Sequence, residues 1–419
     1  MEQTTLTSGV TVVTEALTSV RSVTLGMWIA VGSRDEAPIQ AGCSHFLEHL
    51  LFKGTRTRSA RDIAETLDRV GGELNAFTSK EQTCFHARVL DRDVPLALDV
   101  LGDMLVDAQN APLDVEAERQ VVLSELEIHN DTPDDLVHTD VAALILGEHP
   151  LGAETLGSFE SVSALDRDTI HDYYLSHYRP EDVVVAAAGN VTHEDVVRLA
   201  DDLLGDLGRP GTGHSQRHAP TEFGAHNISI RHRPTEQAHV AFGVVGLSHS
   251  DDDRWALRVL DVVLGGGMSS RLFQHIREER GLAYSTYTYA SSFSDGGLFA
   301  AYAGTSPAQV DDVVKLLRDE LDNAADSITD GEIDRAKGAL AGQTVLALED
   351  TASRMARIGR QVSSGEPVIS VDEALQRVQD VTLDDVQRVA RRVLGQPKNL
   401  AIVGPFTPEE RSRFEDVVA

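Results

Sequence analysis

Residues 45–49 read His-Phe-Leu-Glu-His, and three of these five side chains can act together on one metal ion. On an α-helix, where successive residues are about 100° apart, His45 and His49 lie about 40° apart and can bind the same ion. Glu48 lies on the other side of His45, where its carboxylate can reach a metal-bound water. Two neutral imidazoles and a third ligand, with one position left open for water, make a catalytic zinc site. Zinc lowers the pKa of that water towards about 7, and a neighbouring carboxylate can accept its proton and pass it to a leaving amine.

The order of these residues, H-x-x-E-H, is that of the inverted zinc-peptidase motif. Ser44 directly precedes the motif and is a residue type that caps helix N-termini, so we expect it to be the N-cap. The alternative is that the two histidines are ordinary helix residues and that Glu48 is a solvated charge. The pattern favours the metal site over this alternative.

A third ligand must come from elsewhere in the chain. Residues 118–127, ERQVVLSELE, are predicted to be helical, and Glu118 and Glu125 are one heptad apart in this segment. That spacing places both carboxylates near one face of the helix. The alternative is a solvated acidic face that also includes Glu127. Both acids are therefore candidates for the metal site.

Two segments of the chain repeat at an almost constant offset, which indicates an internal duplication. VVVAAAGNVTHE at 183–194 matches KNLAIVGPFTPE at 398–409, an offset of 215, and EAER at 116–119 matches EIDR at 332–335, an offset of 216. Each half is predicted to begin with strands, to continue through helices and to end in a strand. Strands grouped among helices without strict alternation are typical of the α+β class. We therefore predict two homologous domains, each a largely antiparallel sheet with helices packed on one face.

The domain boundary is predicted in residues 209–224, RPGTGHSQRHAPTEFG, because they are rich in Gly, Pro, His and polar residues and lack periodicity. This linker separates a domain of residues 1–208 from a domain of residues 225–419. In the second half, Ala341 occupies the position that matches Glu125, and no H-x-x-E-H occurs there. Only the first domain is therefore predicted to bind the metal.

The charge of the chain excludes some classes of partner. Its 67 acidic residues outnumber its 37 Lys and Arg, for a net charge of −30. A chain this acidic repels nucleic-acid phosphates and anionic membrane surfaces, so neither is expected as a partner. The half that carries the metal motif, residues 1–215, contains 37 of the acidic residues but only 15 of the basic ones. Basic peptides are therefore plausible partners, although the charge can also serve solubility alone.

The cysteine content and the N-terminal residues predict a cytoplasmic protein. Two cysteines are too few for a disulfide framework, which fits a reducing compartment. The first residues, MEQTTLTSGVTVV, lack the basic and apolar regions of a secretory signal. No apolar run reaches the about 20 residues that span a bilayer.

The stretch HFLEHLLFKGT at 45–55, with Glu125 76 residues beyond His49, resembles the pitrilysin and insulin-degrading-enzyme family of zinc peptidases. The length and the two-unit layout resemble the short branch of that family, which includes mitochondrial processing peptidase and its bacterial relatives. The resemblance implies that His45, His49 and Glu125 hold one Zn²⁺ per chain and that Glu48 is the general base. It also implies that Glu118, which matches the second acidic position of the family, supports the site without needing to bind the metal. Such carboxylates orient ligand histidines.

The stretch GGELNAFTSKEQTCFHAR at 71–88 also matches the family. The resemblance implies that the strand around Asn75, Ala76 and Phe77 runs beside the bound peptide. Strand addition binds a peptide mainly through its backbone, with little selection among side chains. The alternative is an ordinary edge strand.

The stretch GGGMSSRLFQHIREERGLAY at 265–284 has a Gly-rich start but lacks the Gly-Lys-Ser/Thr of a phosphate loop. The resemblance implies that Arg277 and Tyr284 approach the substrate carbonyl and the tetrahedral intermediate. A guanidinium and a phenol can stabilise a developing oxyanion. The alternative is that Arg277 belongs to an exposed Arg-Glu-Glu-Arg run and Tyr284 to the sheet.

Family members of this length pair two chains, so the resemblance implies a dimer that encloses a chamber and accepts short or flexible peptides. The dimer is either a homodimer or a heterodimer, and Arg277 and Tyr284 act in their own chain or across the dimer. Two other functions remain open. The chain is a peptidase that requires a different partner chain, or a non-catalytic assembly subunit. The complete zinc motif argues against the second.

Two further metal-site candidates are weaker. Cys43, two residues before His45, would close the position that water needs if it were a fourth ligand. His214, His218, His226 and His232 lack regular ligand spacing and lie in or near the linker.

Overall fold

The computed structural model describes residues 1–205, 207 and 217–418. The predicted linker falls partly outside these residues, because 209–216 are not among them, and neither is His214. The chain divides into two compact units, and each unit draws segments from both halves of the chain. The first unit contains Met1–Leu126, Glu154–Arg217 and Leu346–Val368, and the second contains Glu127–Ala153, His218–Val345 and Ile369–Ala419.

The helices and strands follow the predicted duplication. The strands are β1 Glu2–Thr5, β2 Thr11–Ala16, β3 Ser22–Ile29, β4 Glu73–Thr78, β5 Thr83–Leu90, β6 Val183–Gly189, β7 Ile228–His232, β8 Ala238–Val245, β9 Ala283–Ser292, β10 Gly297–Thr305 and β11 Asn399–Gly404. The helices are α1 Cys43–Leu51, α2 Ala60–Asp68, α3 Val94–Asp107, α4 Pro112–Asn130, α5 Pro133–Leu146, α6 Phe159–Ala164, α7 Arg167–His177, α8 His193–Leu204, α9 Arg254–Gly265, α10 Val310–Ser327, α11 Asp330–Ala347, α12 Thr351–Ser363, α13 Val371–Asp380, α14 Leu383–Leu394 and α15 Glu415–Val418.

Each unit is built on one largely antiparallel sheet. The first sheet has the order β1-β2-β6-β3-β5-β4, and the second has the order β7-β11-β8-β10-β9. Each sheet contains one parallel pair, β2 with β6 in the first and β7 with β11 in the second. Strands β6 and β11 belong to the segments that match at an offset of 215. The prediction of two homologous α+β units is therefore confirmed.

Helices cover both faces of each sheet, whereas the sequence predicted helices on one face. In the first unit, the larger core packs the sheet against apolar residues of α1, α3, α4, α7 and α8. The opposite face packs against α12 through Met355 and Ile358. In the second unit, the opposite face packs against α5 through Val137, Val141 and Ile145.

The helix on the opposite face comes from the other half of the chain in each unit. Helix α5 belongs to the second unit but lies within the predicted domain 1–208, and α12 belongs to the first unit but lies within 225–419. The predicted domains are contiguous segments, whereas the compact units exchange one helical segment each.

Glycines in the sheets let these exchanged helices approach closely. A Cβ atom at Gly26 of β3 would lie 2.4 Å from Sδ of Met355, and one at Gly243 of β8 would lie 2.5 Å from Cδ1 of Ile145. The two glycines occupy corresponding central strands, so the same close packing occurs in both units. Within the described ranges, no helix combines the length and the apolar character needed to cross a bilayer.

Candidate metal centre

Helices α1 and α4 bring the three predicted metal ligands together. His45 and His49 lie one helical turn apart on α1, and Glu125 lies on α4. Oε2 of Glu125 is 3.6 Å from Nε2 of His45 and 3.5 Å from Nε2 of His49. Among the residues that the structure describes, these three are the one group of His, Cys, Asp or Glu side chains arranged to hold a metal ion, with one candidate atom of each within 4.8 Å of the others.

The chemistry of this group fits a zinc ion. Oε2 of Glu125 and Nδ1 of His45 are buried and have no hydrogen-bond partner. An unpartnered buried carboxylate oxygen is costly, and a cation beside Oε2 of Glu125 removes that cost. Burial and the neighbouring His49 lower the pKa of His45 to about 4, so its imidazole is in the neutral form that binds metals. Ligand atoms about 2.1 Å from zinc at tetrahedral angles lie about 3.4 Å apart, close to the two separations above.

The carboxylate of Glu48 is fixed by the end of strand β4. Oγ1 of Thr78 donates a hydrogen bond to Oε2 of Glu48 at 2.5 Å. Burial raises the pKa of Glu48, and the carboxylate of Glu125 acts in the same direction, whereas Thr78 and His49 oppose the rise. A carboxylate with a raised pKa is a stronger base, which suits proton transfer from water.

Glu118 holds His49 from the side opposite to Glu125. Oε2 of Glu118 lies 3.2 Å from Nδ1 of His49, and Glu118 is only 5% exposed. A carboxylate bonded to Nδ1 fixes the tautomer and leaves Nε2 free to bind a metal. Oε1 of Glu118 pairs with Nζ of Lys53 at 2.6 Å.

Lys53 is a site residue that the sequence analysis missed. It lies just beyond α1, within the stretch HFLEHLLFKGT, and its partner Glu118 is 65 positions away. The sequence shows a lysine four positions after His49. Its pairing with Glu118 could not be predicted, because it depends on how α1 and α4 pack.

The expectation that Ser44 caps α1 is wrong. Gly42 is the N-cap residue, with φ of +91°, and Ser44 is already inside the helix. Ser44 is buried, and its hydroxyl lies 2.8 Å from the hydroxyl of Tyr173 on α7. The hydroxyl therefore links α1 to α7 and does not cap the helix.

Residues Asn75, Ala76 and Phe77 lie on β4, which is one of the two edge strands of the first sheet. Oδ1 of Asn75 accepts a hydrogen bond from the backbone N–H of Ala76 at 2.8 Å. The ring of Phe77 is partly exposed and meets the ring of Trp28 edge to face, with centroids 5.5 Å apart. The edge position is what strand addition requires, and the binding of peptide there stays a prediction.

Arg277 and Tyr284 lie together in the second unit. Arg277 lies in a π-helical segment, Phe273–Glu278, and π-helical turns are frequent at functional sites. Nη1 of Arg277 donates to the backbone oxygen of Tyr284 at 3.0 Å, and its guanidinium carbon lies 4.6 Å from the centroid of the Tyr284 ring. The Tyr284 side chain is exposed. The structure thus brings the two residues together as a pair.

The weaker metal candidates find no support among the described residues. Cys43 is a free, buried thiol, and the one candidate metal-holding group among the described residues does not include it. His226 and His232 bond to the backbone oxygens of Val418 and Phe406 respectively.

Family models match most of the chain. Residues 11–158 match the model described as insulinase (peptidase family M16), and residues 164–340 match the model described as the peptidase M16 inactive domain. His45, His49 and Glu125 lie within the first match, and Arg277 and Tyr284 lie within the second.

Bacterial relatives match over nearly their full length. An uncharacterized zinc protease of Streptomyces coelicolor is 50% identical over 425 residues, which cover 100% of this chain and 93% of that protein. An uncharacterized zinc protease of Bacillus subtilis is 39% identical over 401 residues, which cover 95% of this chain and 97% of that protein.

Two solved structures share the fold. A protease from Helicobacter pylori aligns with a TM-score of 0.88 and 22% identity, over 96% of this chain and 99% of that one. A peptidase M16 inactive domain from Pseudomonas fluorescens aligns with a TM-score of 0.90 and 19% identity, over 97% of this chain and 98% of that one. At these identities, the two structures support the architecture alone.

Proposed function

Since this chain belongs to the M16, or insulinase, family of zinc metallopeptidases, we propose that it is an endopeptidase that cleaves short or flexible peptides. The observation that carries the proposal is the convergence of His45, His49 and Glu125 beside the carboxylate of Glu48, which Thr78 holds in place. His45, His49 and Glu125 would hold one Zn²⁺ per chain. When bound, zinc polarises the scissile carbonyl and lowers the pKa of a bound water.

The residues of the first unit have distinct tasks in this proposal. Thr78 holds one oxygen of Glu48, so the other oxygen, Oε1, accepts the proton of the attacking water and passes it to the leaving amine. Glu118 keeps Nδ1 of His49 protonated through its hydrogen bond, so that Nε2 is the metal-binding nitrogen. The peptide adds to the edge strand β4 near Ala76, which the sheet order supports.

The test is cleavage of a quenched-fluorescent peptide mixture by the purified wild-type protein and by Glu48→Gln. Glutamine has the shape of glutamate but cannot accept the proton, so we expect activity to fall by at least about 100-fold. Zinc content, measured by mass spectrometry, should stay near one per chain. Glu127→Gln, on α4 but outside the group, is the matched control and should keep both activity and zinc.

Zinc dependence is tested with His49→Ala and with a chelator. We expect the variant to lose zinc and activity together, and the chelated wild type to regain activity when Zn²⁺ is added back. A wild-type protein that holds zinc but cleaves no peptide would favour a chain that requires a different partner. A wild-type protein that holds no zinc and is inactive would favour a non-catalytic assembly subunit.

The proposal assigns Arg277 and Tyr284 to the tetrahedral intermediate, in a homodimer or a heterodimer. If they act across a homodimer, a mixture of inactive Glu48→Gln and inactive Arg277→Ala chains regains activity, because one site in each mixed dimer then has every group. If they act in their own chain, the mixture stays inactive. Size measurement in solution tests the dimer itself, and a fully active monomer would exclude it.

We also propose that basic peptides are substrates and that the protein acts in the cytoplasm. The net charge of −30 supports basic substrates, because it raises the association rate of cationic peptides at low salt. We expect kcat/KM for a basic peptide to decrease when the salt concentration is raised from about 0.05 M to about 0.5 M, a range over which surface charges become screened. For a neutral peptide, kcat/KM should change less.

The two free cysteines, both buried, support a reducing compartment, which cell fractionation tests.

A further inference from the structure

The first turn of α1 takes its cap from a residue upstream of the helix. The N-cap residue, Gly42, has no side chain to accept a hydrogen bond from the first N–H groups of the helix. Glu36 supplies both acceptors: its Oε2 accepts the N–H of Gly42 at 2.8 Å, and its Oε1 accepts the N–H of Ser44 at 2.7 Å. A carboxylate at a helix N-terminus is favourable because it satisfies these donors and complements the helix dipole. Ser44 is the residue directly before His45.

The segment that carries Glu36 is itself fixed. Nη1 of Arg34 pairs with Oε1 of Glu81 at 2.5 Å, and Arg34 is buried. Asp35 accepts two hydrogen bonds from Arg217, at 2.8 and 2.7 Å. These contacts of Arg34 and Asp35 hold the segment in place. The carboxylate of Glu36 is therefore fixed where it accepts the N–H groups of the first turn of α1.

Other parts of the first unit fit closely around this turn. A Cβ atom at Gly42 would lie 2.6 Å from the backbone oxygen of Leu156, and one at Gly157 would lie 2.6 Å from the backbone oxygen of Ala41. Tyr173 contacts the hydroxyl of Ser44 from α7. The turn is thus held in a tight space in which a small shift of its backbone would move His45.

We propose that Glu36 is a positioning residue of the metal centre, which sets the first turn of α1 and thereby the orientation of His45. This inference rests on the proposed zinc site, and it adds a residue that neither binds metal nor contacts substrate. The two hydrogen bonds from Glu36 to the first turn support it. Burial raises the pKa of this carboxyl to about 7, and the same two N–H donors oppose the rise because they favour the charged form.

The test compares Glu36→Gln and Glu36→Ala with the wild type, with Zn²⁺ itself as the probe. Zinc affinity is measured on metal-free protein by competition with a chelating dye. We expect both variants to bind Zn²⁺ at least about tenfold more weakly, the usual effect of removing a group that supports a metal ligand. We also expect an altered visible absorption spectrum of the Co²⁺ form, because that spectrum reports the ligand geometry. Glu36→Asp should recover part of the affinity.

The matched control is Thr192→Ala. Thr192 caps α8 of the same unit by accepting the N–H of Asp195, and α8 carries no predicted site residue. We expect this variant to lose thermal stability but to keep the zinc affinity and the Co²⁺ spectrum of the wild type. Wild-type zinc affinity and an unchanged Co²⁺ spectrum in folded Glu36→Gln would overturn the inference while leaving the proposed function intact. Absence of zinc binding by the wild type would overturn the proposed function itself.

Discussion

The hydroxyl of Thr78 donates a hydrogen bond to Glu48 at 2.5 Å, which links the edge strand β4 to the carboxylate beside the candidate metal ligands. The second unit repeats this link without the metal residues: Oγ1 of Thr288 on β9 donates to Oδ1 of Asp261 on α9 at 2.6 Å. The bridge between edge strand and helix is thus common to both units. In the first unit it also orients the proposed general base.

Replacement of Thr78 by Val should lower kcat by about tenfold or more without loss of zinc. The reason is that a hydrogen bond to a charged group contributes about 1.5–3 kcal/mol, and each 1.36 kcal/mol is about a tenfold change in rate. Thr78→Ser keeps the hydroxyl and should recover most of the activity. Thr288→Val is the control in the second unit and should leave kcat unchanged. Equal kcat values for Thr78→Val and the wild type would show that the bond does not orient the base.

Lys53 should support the metal centre through Glu118. Glu118→Ala removes the acceptor of the His49 Nδ1–H and should weaken zinc binding by about 10–100-fold. Lys53→Met should weaken it less, because Glu118 keeps its bond to His49 but loses its cation. The double variant should bind zinc as Glu118→Ala does, since both changes act through one carboxylate. Additive effects, measured with the chelating dye, would mean that Lys53 acts by another route, and Lys53→Arg is the control that keeps the charge.

The pKa of Glu36 predicts how the stability of the zinc-free protein varies with pH. The folded-state pKa of about 7 is raised above the usual 4.5, so between these values the folded state binds a proton that the unfolded state has lost. The stabilising contribution of this group is complete below about pH 4.5 and is lost as the pH rises through about 7. Lys80, whose charge opposes the rise, is the cation that faces Glu36, and Cys43 and Tyr173 lie close by.

Glu36→Gln does not titrate and lacks this contribution. We therefore expect its free energy of unfolding, relative to the wild type, to increase from pH 5 to pH 8 in urea titrations of metal-free protein. A constant difference across this range would show that Glu36 has an ordinary pKa in the folded state.

The part of the candidate metal centre on α1 could be predicted from the sequence because its geometry is local. His45, Glu48 and His49 lie within five residues of one helix, so the helical repeat alone places them on one side. The heptad spacing made Glu118 and Glu125 both candidates, but the choice of Glu125 as the third ligand required the family resemblance, since no local rule brings α4 to α1. Ser44 was expected to cap α1 because its residue type is typical of caps, but its hydroxyl instead contacts Tyr173, 129 positions away.

The exchange of α5 and α12 could not be predicted from the sequence. Each helix has apolar residues at helical spacing, which indicates a buried face but not the sheet that the face covers. Which sheet each helix covers depends on how well side chains that are far apart in the sequence fit together. Met355 packs where Gly26 leaves space, more than 300 positions earlier in the chain.

The packing of α12 on the first sheet leads to a stability prediction at Gly359. Trp28 is fully buried, and its Nε1 donates to Sδ of Met355 at 3.2 Å. A Cβ atom at Gly359 would lie 2.1 Å from Nε1 of Trp28, so Gly359→Ala forces the helix and the indole apart. Overpacking of this kind costs about 1–3 kcal/mol.

Gly338 provides the contrast, because it lies in α11 and an added Cβ would meet no atom within 4 Å beyond its chain neighbours and the backbone of its own helix. Gly338→Ala should stabilise its helix by about 0.5–1 kcal/mol, since alanine loses less backbone entropy than glycine. The two tryptophans lie in different units, Trp28 in the first and Trp255 in the second, so a Trp255→Phe background makes fluorescence report the first unit. In that background, Gly359→Ala should unfold at lower urea with a changed Trp28 emission, and Gly338→Ala should not. An unchanged midpoint for Gly359→Ala would mean that α12 does not pack on Trp28 in solution.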